Sequence, residues 1–170
     1  LKEEAFHLGT GSNGLRRVIK AGVLPLDLLQ RYINQWVSTA HDLFGVDESS
    51  SAHWAYVWGV KGRWDERKKL EGGIEVSKEK LNEEARHHYH EEIVREVRKL
   101  CNYLPDDAPR LYVPHENFNR EIGTYKRQRY TVEGTLFEGS DDEWNQYIET
   151  HLPTKQDEED LKEYFKQQWV

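Results

Sequence analysis

Between Pro25 and Gly45 apolar and aromatic side chains recur every third or fourth residue, and this pattern constrains the chain more than any other. Leu28, Leu29, Tyr32, Ile33, Trp36, Val37, Ala40, Leu43 and Phe44 fall on one broad stripe of an α-helix of about five turns. Pro25 suits the opening turn, where its missing N–H costs nothing, and Gly45 suits the stop. A stripe this wide must be covered by other helices. The chain is therefore expected to be mainly α.

Other segments agree with that class. Leu1 to about Leu8 reads as the end of a helix that breaks at Gly9-Thr10-Gly11-Ser12-Asn13-Gly14, and helical character resumes over Leu15 to Lys20. A short helix over His53 to Trp58, ending near Gly59, follows N-cap candidates in Asp47-Glu48-Ser49-Ser50-Ser51. Residues 61–76 read as a polar connection turning at Gly72-Gly73. Ser77 caps a long helix to about Tyr103, with a thin apolar face of Leu81, Ala85, Tyr89, Ile93, Val97, Leu100 and Leu104 and charge elsewhere, as on a protein surface. From Pro105 the character changes. Leu111-Tyr112-Val113 is extended before Pro114, and Tyr130 to Phe137 alternates around Glu133-Gly134 as a small hairpin. Ser140 and Thr154 cap two last helices, separated by Pro153. The expected organisation is a helical region over residues 1–104 and a C-terminal extension over 105–170 with a short hairpin and two short helices.

Composition narrows the function. The 170 residues carry a net charge of −7, and basic runs such as Lys61-Gly62-Arg63 and Lys126-Arg127-Gln128-Arg129 are short, so nucleic acid is not an expected partner. The 6 Trp and 9 Tyr argue against disorder. Cys101 is the sole cysteine, which excludes an intrachain disulfide and fits a reducing, cytoplasmic setting. Its place among Leu100 and Leu104 reads as a small buried residue rather than a nucleophile. No apolar run is long enough to span a bilayer, so no membrane partner is expected. There is no Ser-His-Asp pattern, no Walker A loop and no cysteine-based zinc motif.

Three histidine groups are candidates to carry chemistry. Glu4-Ala5-Phe6-His7 is an E-x-x-H, which on a helix sets a carboxylate and an imidazole on one face where both reach one metal ion; Glu3 competes as the partner of His7 at i+4. Arg86-His87-His88-Tyr89-His90-Glu91 pairs His87 with His90 and with Glu91 at helical spacing, yet the helix is charged nearly all round and a solvated face is the favoured reading. His41-Asp42 and His53 read as hydrogen-bonded structural side chains. Gly9, Gly11 and Gly14 match G-x-G-x-x-G, but no strand precedes them, so a phosphate cradle is not favoured.

Taken in order, several stretches resemble the catalytic component B of benzoyl-CoA epoxidase, a ferritin-like diiron family. They are Glu3 to His7 with the glycines behind it, Leu26 to Gly45 with Gln30-Arg31-Tyr32 and Asp42-Leu43-Phe44-Gly45, and Gly59 to Arg63. Leu81-Asn82-Glu83 follows, then Val113-Pro114-His115 with Phe118, Arg120, Ile122 and Gly123, and Leu152-Pro153-Thr154. The resemblance implies that the chain is the C-terminal part of a ferritin-like helical bundle, with Glu4 and His7 as metal ligands from the last E-x-x-H pair of a site for two irons. It implies an oxidoreductase, a monooxygenase that oxygenates an aromatic acyl-CoA with electrons from a separate reductase. Arg16, Arg17 and Lys20 are then candidates to meet the phosphates of coenzyme A, with surface charge as the favoured reading of the three.

By the same resemblance the remaining ligands, the carboxylates and the first E-x-x-H, are expected upstream of Leu1, since Glu4 and His7 supply two of about six. A homodimer could bring two such arms together about a two-fold axis, although nothing in the sequence predicts one. The second reading is a non-catalytic helical module, a degenerate relative or a fragment without a whole metal site, whose role is packing and partner contact.

Overall fold

A computed structural model describes residues 2–44, 50–62, 70–71, 74–75, 77–121 and 128–168. The chain is mainly α. Its helices are α1 (Lys2–Ala21), α2 (Leu26–Asp42), α3 (Ser50–Val57), α4 (Lys78–Cys101), α5 (Asp141–His151) and α6 (Lys155–Gln168). Between α3 and α4 lie two-residue strands β1 (Leu70–Glu71) and β2 (Ile74–Glu75), paired antiparallel with Leu70 opposite Glu75. The expected stop at Gly45 and the caps at 47–49 lie outside the described residues, as does the turn at Gly72-Gly73.

The first helix corrects the sequence reading. No break occurs at Gly9, Gly11 or Gly14, and α1 runs without interruption to Ala21. A glycine costs a helix only about 1 kcal/mol relative to alanine, so three of them lower helix propensity without forbidding it. The true stop is Gly22, whose φ of 62° takes the left-handed region and whose N–H donates to the Ile19 carbonyl at 3.1 Å. Pro25 then opens α2 as expected, with the Leu29 N–H donating to the Pro25 carbonyl.

The apolar core joins α1, α2, α4 and the segment after α4 through Ile19, Leu29, Val97, Leu104 and Leu111. The thin apolar face expected for α4 is the face that buries: Leu81 and Val97 are covered, and Ile93 and Leu100 pack against the core. On α2 the stripe is less simple than its spacing suggests. Leu28, Leu29 and Val37 are buried, but Trp36 and Leu43 are about as exposed as on an isolated helix surface, at 68% and 71%. The deepest α2 side chains are instead polar: Asn34, Ser38 and His41.

Those polar residues tie the C-terminal region to α2. The Gln30 side chain brackets the Tyr112 backbone, accepting from its N–H and donating to its carbonyl, both at 2.9 Å, much as a neighbouring strand would. The Asn34 amide donates to the His151 carbonyl at 2.9 Å, which fixes the end of α5. Arg31 clamps Asp157 of α6 with two N–H donors, at 2.6 and 3.1 Å. Asp157 also accepts from the Thr154 N–H and hydroxyl, and the Thr154 hydroxyl accepts from the Asp157 N–H, so one carboxylate both caps α6 and docks it on α2. Ser140 and Glu143 form the reciprocal cap expected at α5. The hairpin expected at 130–137 contracts to a single bridge, Tyr130 with Leu136, closed by a turn at Gly134 with φ of 89°.

Candidate functional site

Helices α1, α2 and α4 enclose an apolar groove of about 600 Å³. Tyr32 and Trp36 of α2, Tyr89 and Val97 of α4 and Tyr103 beyond it line two walls, and α1 forms the third with His7, Leu15 and Arg16. Continuity of α1 creates this wall, because the segment expected to break brings Gly11 and Ser12 alongside the same groove. Phe6 and Leu8 are 70% and 66% exposed, so the first turns of α1 carry apolar side chains that the described residues do not cover.

Glu4 and His7 sit on this exposed end. In an unbroken α-helix, residues three apart lie about 60° apart around the axis and about 4.5 Å apart along it, so the backbone puts both on one face. His7 is exposed, lines the groove, and meets the Phe6 ring edge-on at 6.1 Å. Glu4 is described by its backbone alone. A carboxylate and an imidazole on one helical face suit one arm of an iron site in donor chemistry and spacing. Among the described residues there is no group of three or more His, Cys, Asp or Glu placed to hold a metal ion. This arm therefore supplies about two of the roughly six donors that a two-iron site needs.

The other sequence candidates fall elsewhere. Gly9, Gly11 and Gly14 lie inside a helix whose N–H groups serve the helix itself, so they make no phosphate cradle. His53 is exposed and packs edge-on against Trp54 at 5.5 Å, away from the groove. Cys101 is half-buried with its Sγ 3.4 Å from the Leu111 carbonyl, a packed thiol. Arg16 and Lys20 both lie over the Tyr103 ring at the groove rim, at 5.8 and 4.7 Å, whereas Arg17 lines a separate hollow beside Tyr164 and Phe165.

A second constellation went largely unread in the sequence. His41 is 0% exposed, and neither ring nitrogen has a hydrogen-bond partner among the described residues. The expectation of a hydrogen-bonded structural histidine is thus corrected. His41 meets Tyr89 edge-on at 5.8 Å and the His90 ring at 5.3 Å, so α4 turns His90 inward rather than to solvent as its charged surroundings suggested. Next to it the fully buried Arg120 side chain donates from Nε to Asp42 at 2.6 Å, and the Glu121 N–H donates to the same carboxylate at 3.0 Å. Glu116 lies 2.9 Å from Arg86 Nε and 3.0 Å from His87 Nδ1.

Burial, with a smaller push from His90, lowers the pKa of His41 to about 3. Burial lowers His90 as well. The hydrogen bond to Glu116 raises exposed His87. Burial alone would raise Glu116, but His87 and Arg86 outweigh it and hold the carboxyl below its ordinary value. The signal available in the sequence was a row of polar residues at helical spacing, Asn34, Ser38 and His41, running beside the apolar stripe of α2.

The architecture defines a mainly helical protein with an apolar groove and a carboxylate–histidine pair on one groove-lining helix. No family model matches the chain. A curated relative, benzoyl-CoA oxygenase component B of Aromatoleum evansii, is 30% identical over 199 aligned residues, covering 92% of this chain and 41% of that protein. The chain is related to that oxygenase component, and it spans less than half of the relative's length. No described helix is long and apolar enough to cross a membrane.

Proposed function

We propose that the chain is the C-terminal part of a ferritin-like diiron monooxygenase acting on an aromatic acyl-CoA. The observation that carries this reading is the E-x-x-H pair: in a chain related to an oxygenase component, Glu4 and His7 share one face of an unbroken helix, and His7 lines an apolar groove. Glu4 and His7 would hold iron together with donors from further helices of the parent protein. The exposed Phe6 and Leu8 support such helices, since apolar side chains on a bundle helix ordinarily find cover.

When bound, the two irons supply dioxygen activation and the transfer of one oxygen atom to the ring, with electrons from a separate reductase. The chain's own residues would orient the substrate. Tyr32, Trp36 and Tyr89 give the aromatic group flat apolar walls and keep water away from it. Arg16 and Lys20 at the rim place positive charge where the phosphates of coenzyme A would pass.

The test is a single turnover. The full-length parent is loaded with iron, reduced chemically, and mixed with benzoyl-CoA under ¹⁸O₂. One labelled oxygen atom in the acyl-CoA product is expected, with loss of product in His7→Ala. An iron-loaded, reduced protein that returns unlabelled thioester from benzoyl-CoA and from other aromatic acyl-CoAs would overturn the proposal in favour of a non-catalytic helical module.

A further inference from the structure

The His41 cluster lies outside the groove and needs no metal to act. We infer that His41, with the segment 113–121 packed over it, forms a proton-operated latch: the neutral imidazole lets the segment close on α2 and α4, and an imidazolium there opens it.

Titratable and charged groups approach His41 from three elements. From its own helix comes Asp42, from α4 come Arg86 and His90, and from the covering segment come Glu116 and Arg120. Both carboxylates are already engaged. Asp42 serves Arg120 and the Glu121 N–H, and Glu116 serves Arg86 and His87. An imidazolium at His41 would face Arg86 and Arg120 as like charges, and Glu116, the carboxylate that would attract it, is already shared between Arg86 and His87. Closure therefore excludes the proton, and by linkage the proton favours opening.

The latch also reaches the groove. Tyr89 touches His41 on one side and lines the groove on the other, and His41 and Tyr89 meet between the two helices that form the α2 and α4 walls. Release of the covering segment removes Phe118, which is completely buried, and breaks the Asp42–Arg120 pair that holds the end of α2.

The pH windows separate. His87, raised by Glu116, steadies the closed form as pH falls toward about 6.5 and adds nothing further below it. Glu116, lowered, withdraws its contribution only below its ordinary value of 4.5. Between those limits His41 dominates, with His90 adding in the same sense. A histidine of ordinary pKa when open and about 3 when closed shifts the opening equilibrium about 25-fold between pH 7 and pH 5.

The experiment is amide hydrogen exchange of residues 113–121 at pH 7 and pH 5, corrected for intrinsic exchange, with the His41 ring followed by NMR across the same range. The His41 contribution, a rise in opening of about 25-fold between pH 7 and pH 5, is expected in the wild type and absent from His41→Leu. The His41 resonance of the closed form is expected not to titrate between pH 7 and pH 5. An equal rise in both proteins, or a wild-type His41 that titrates near pH 6.5 while protection persists, would overturn the latch. If His41→Leu does not fold, the wild-type titration decides alone.

Discussion

Removing either member of the Asp42–Arg120 pair should be among the most damaging single changes outside the apolar core. The guanidinium is completely buried and the carboxylate only 10% exposed, so neither charge gains water if its partner is lost. In Arg120→Met the carboxylate keeps the Glu121 N–H at 3.0 Å, which softens the loss. In Asp42→Asn the guanidinium keeps the Glu116 carbonyl at 3.1 Å but loses its neutralising charge. Breaking a buried pair from one side costs about 3–5 kcal/mol, and the surviving contacts place Arg120→Met near the lower end of that range. The double variant buries no unpaired charge, so its loss should fall short of the sum of the singles by about 2 kcal/mol or more. Urea unfolding followed by far-ultraviolet circular dichroism reads all three, against a total stability of about 5–15 kcal/mol for a typical domain. Single losses below about 1 kcal/mol, or strictly additive losses, would refute the view that this pair is buried and coupled.

Further expectations rest on separate contacts. A Cβ at Gly134 would run into the His115 ring at a φ of 89°, so Gly134→Ala should lower stability by about 1–3 kcal/mol, read as a fall in Tm. Gly9, Gly11 and Gly14 have nothing within 4 Å of an added Cβ, so alanine at all three should stabilise the isolated chain by about 0.5–1 kcal/mol per site, seen as higher helicity and Tm; a loss would mean that these positions pack closely. Burial alone would raise Asp157, but the Thr154 N–H and Arg31 outweigh it and lower its pKa. Its contribution is therefore present above the ordinary value of 3.8 and lost as pH falls through the lower folded value, and the stability–pH curve of Asp157→Asn should be flatter below about pH 4.

Much of the helical frame was legible because its signals are local. Pro25, the Ser140 and Glu143 pair, and Pro153 with Thr154 each mark a boundary through contacts within four residues. The glycines of α1 misled for a matching reason: their propensity cost is local, and the continuity that overrides it belongs to the whole helix. Trp36 and Leu43 share the α2 stripe with buried neighbours, yet spacing alone does not say how wide a face the rest of the chain covers. The His41 cluster was the hardest to see. His41 and Asp42 stand at the stripe's edge, and the groups that bury them, Glu116 and Arg120, lie more than seventy residues away. The Glu4–His7 pair was readable as a pattern, but among the described residues no further donors gather beside it to give that pattern a meaning.

The most direct test of the metal-arm reading is an iron count. Elemental analysis of the full-length parent, and of its Glu4→Ala, His7→Ala and His87→Ala variants, separates the groove-side arm from the histidines of α4. Two irons per chain are expected in the parent and in His87→Ala, with a loss of iron in the other two variants. A parent without iron, or iron retained in both Glu4→Ala and His7→Ala, would contradict that reading.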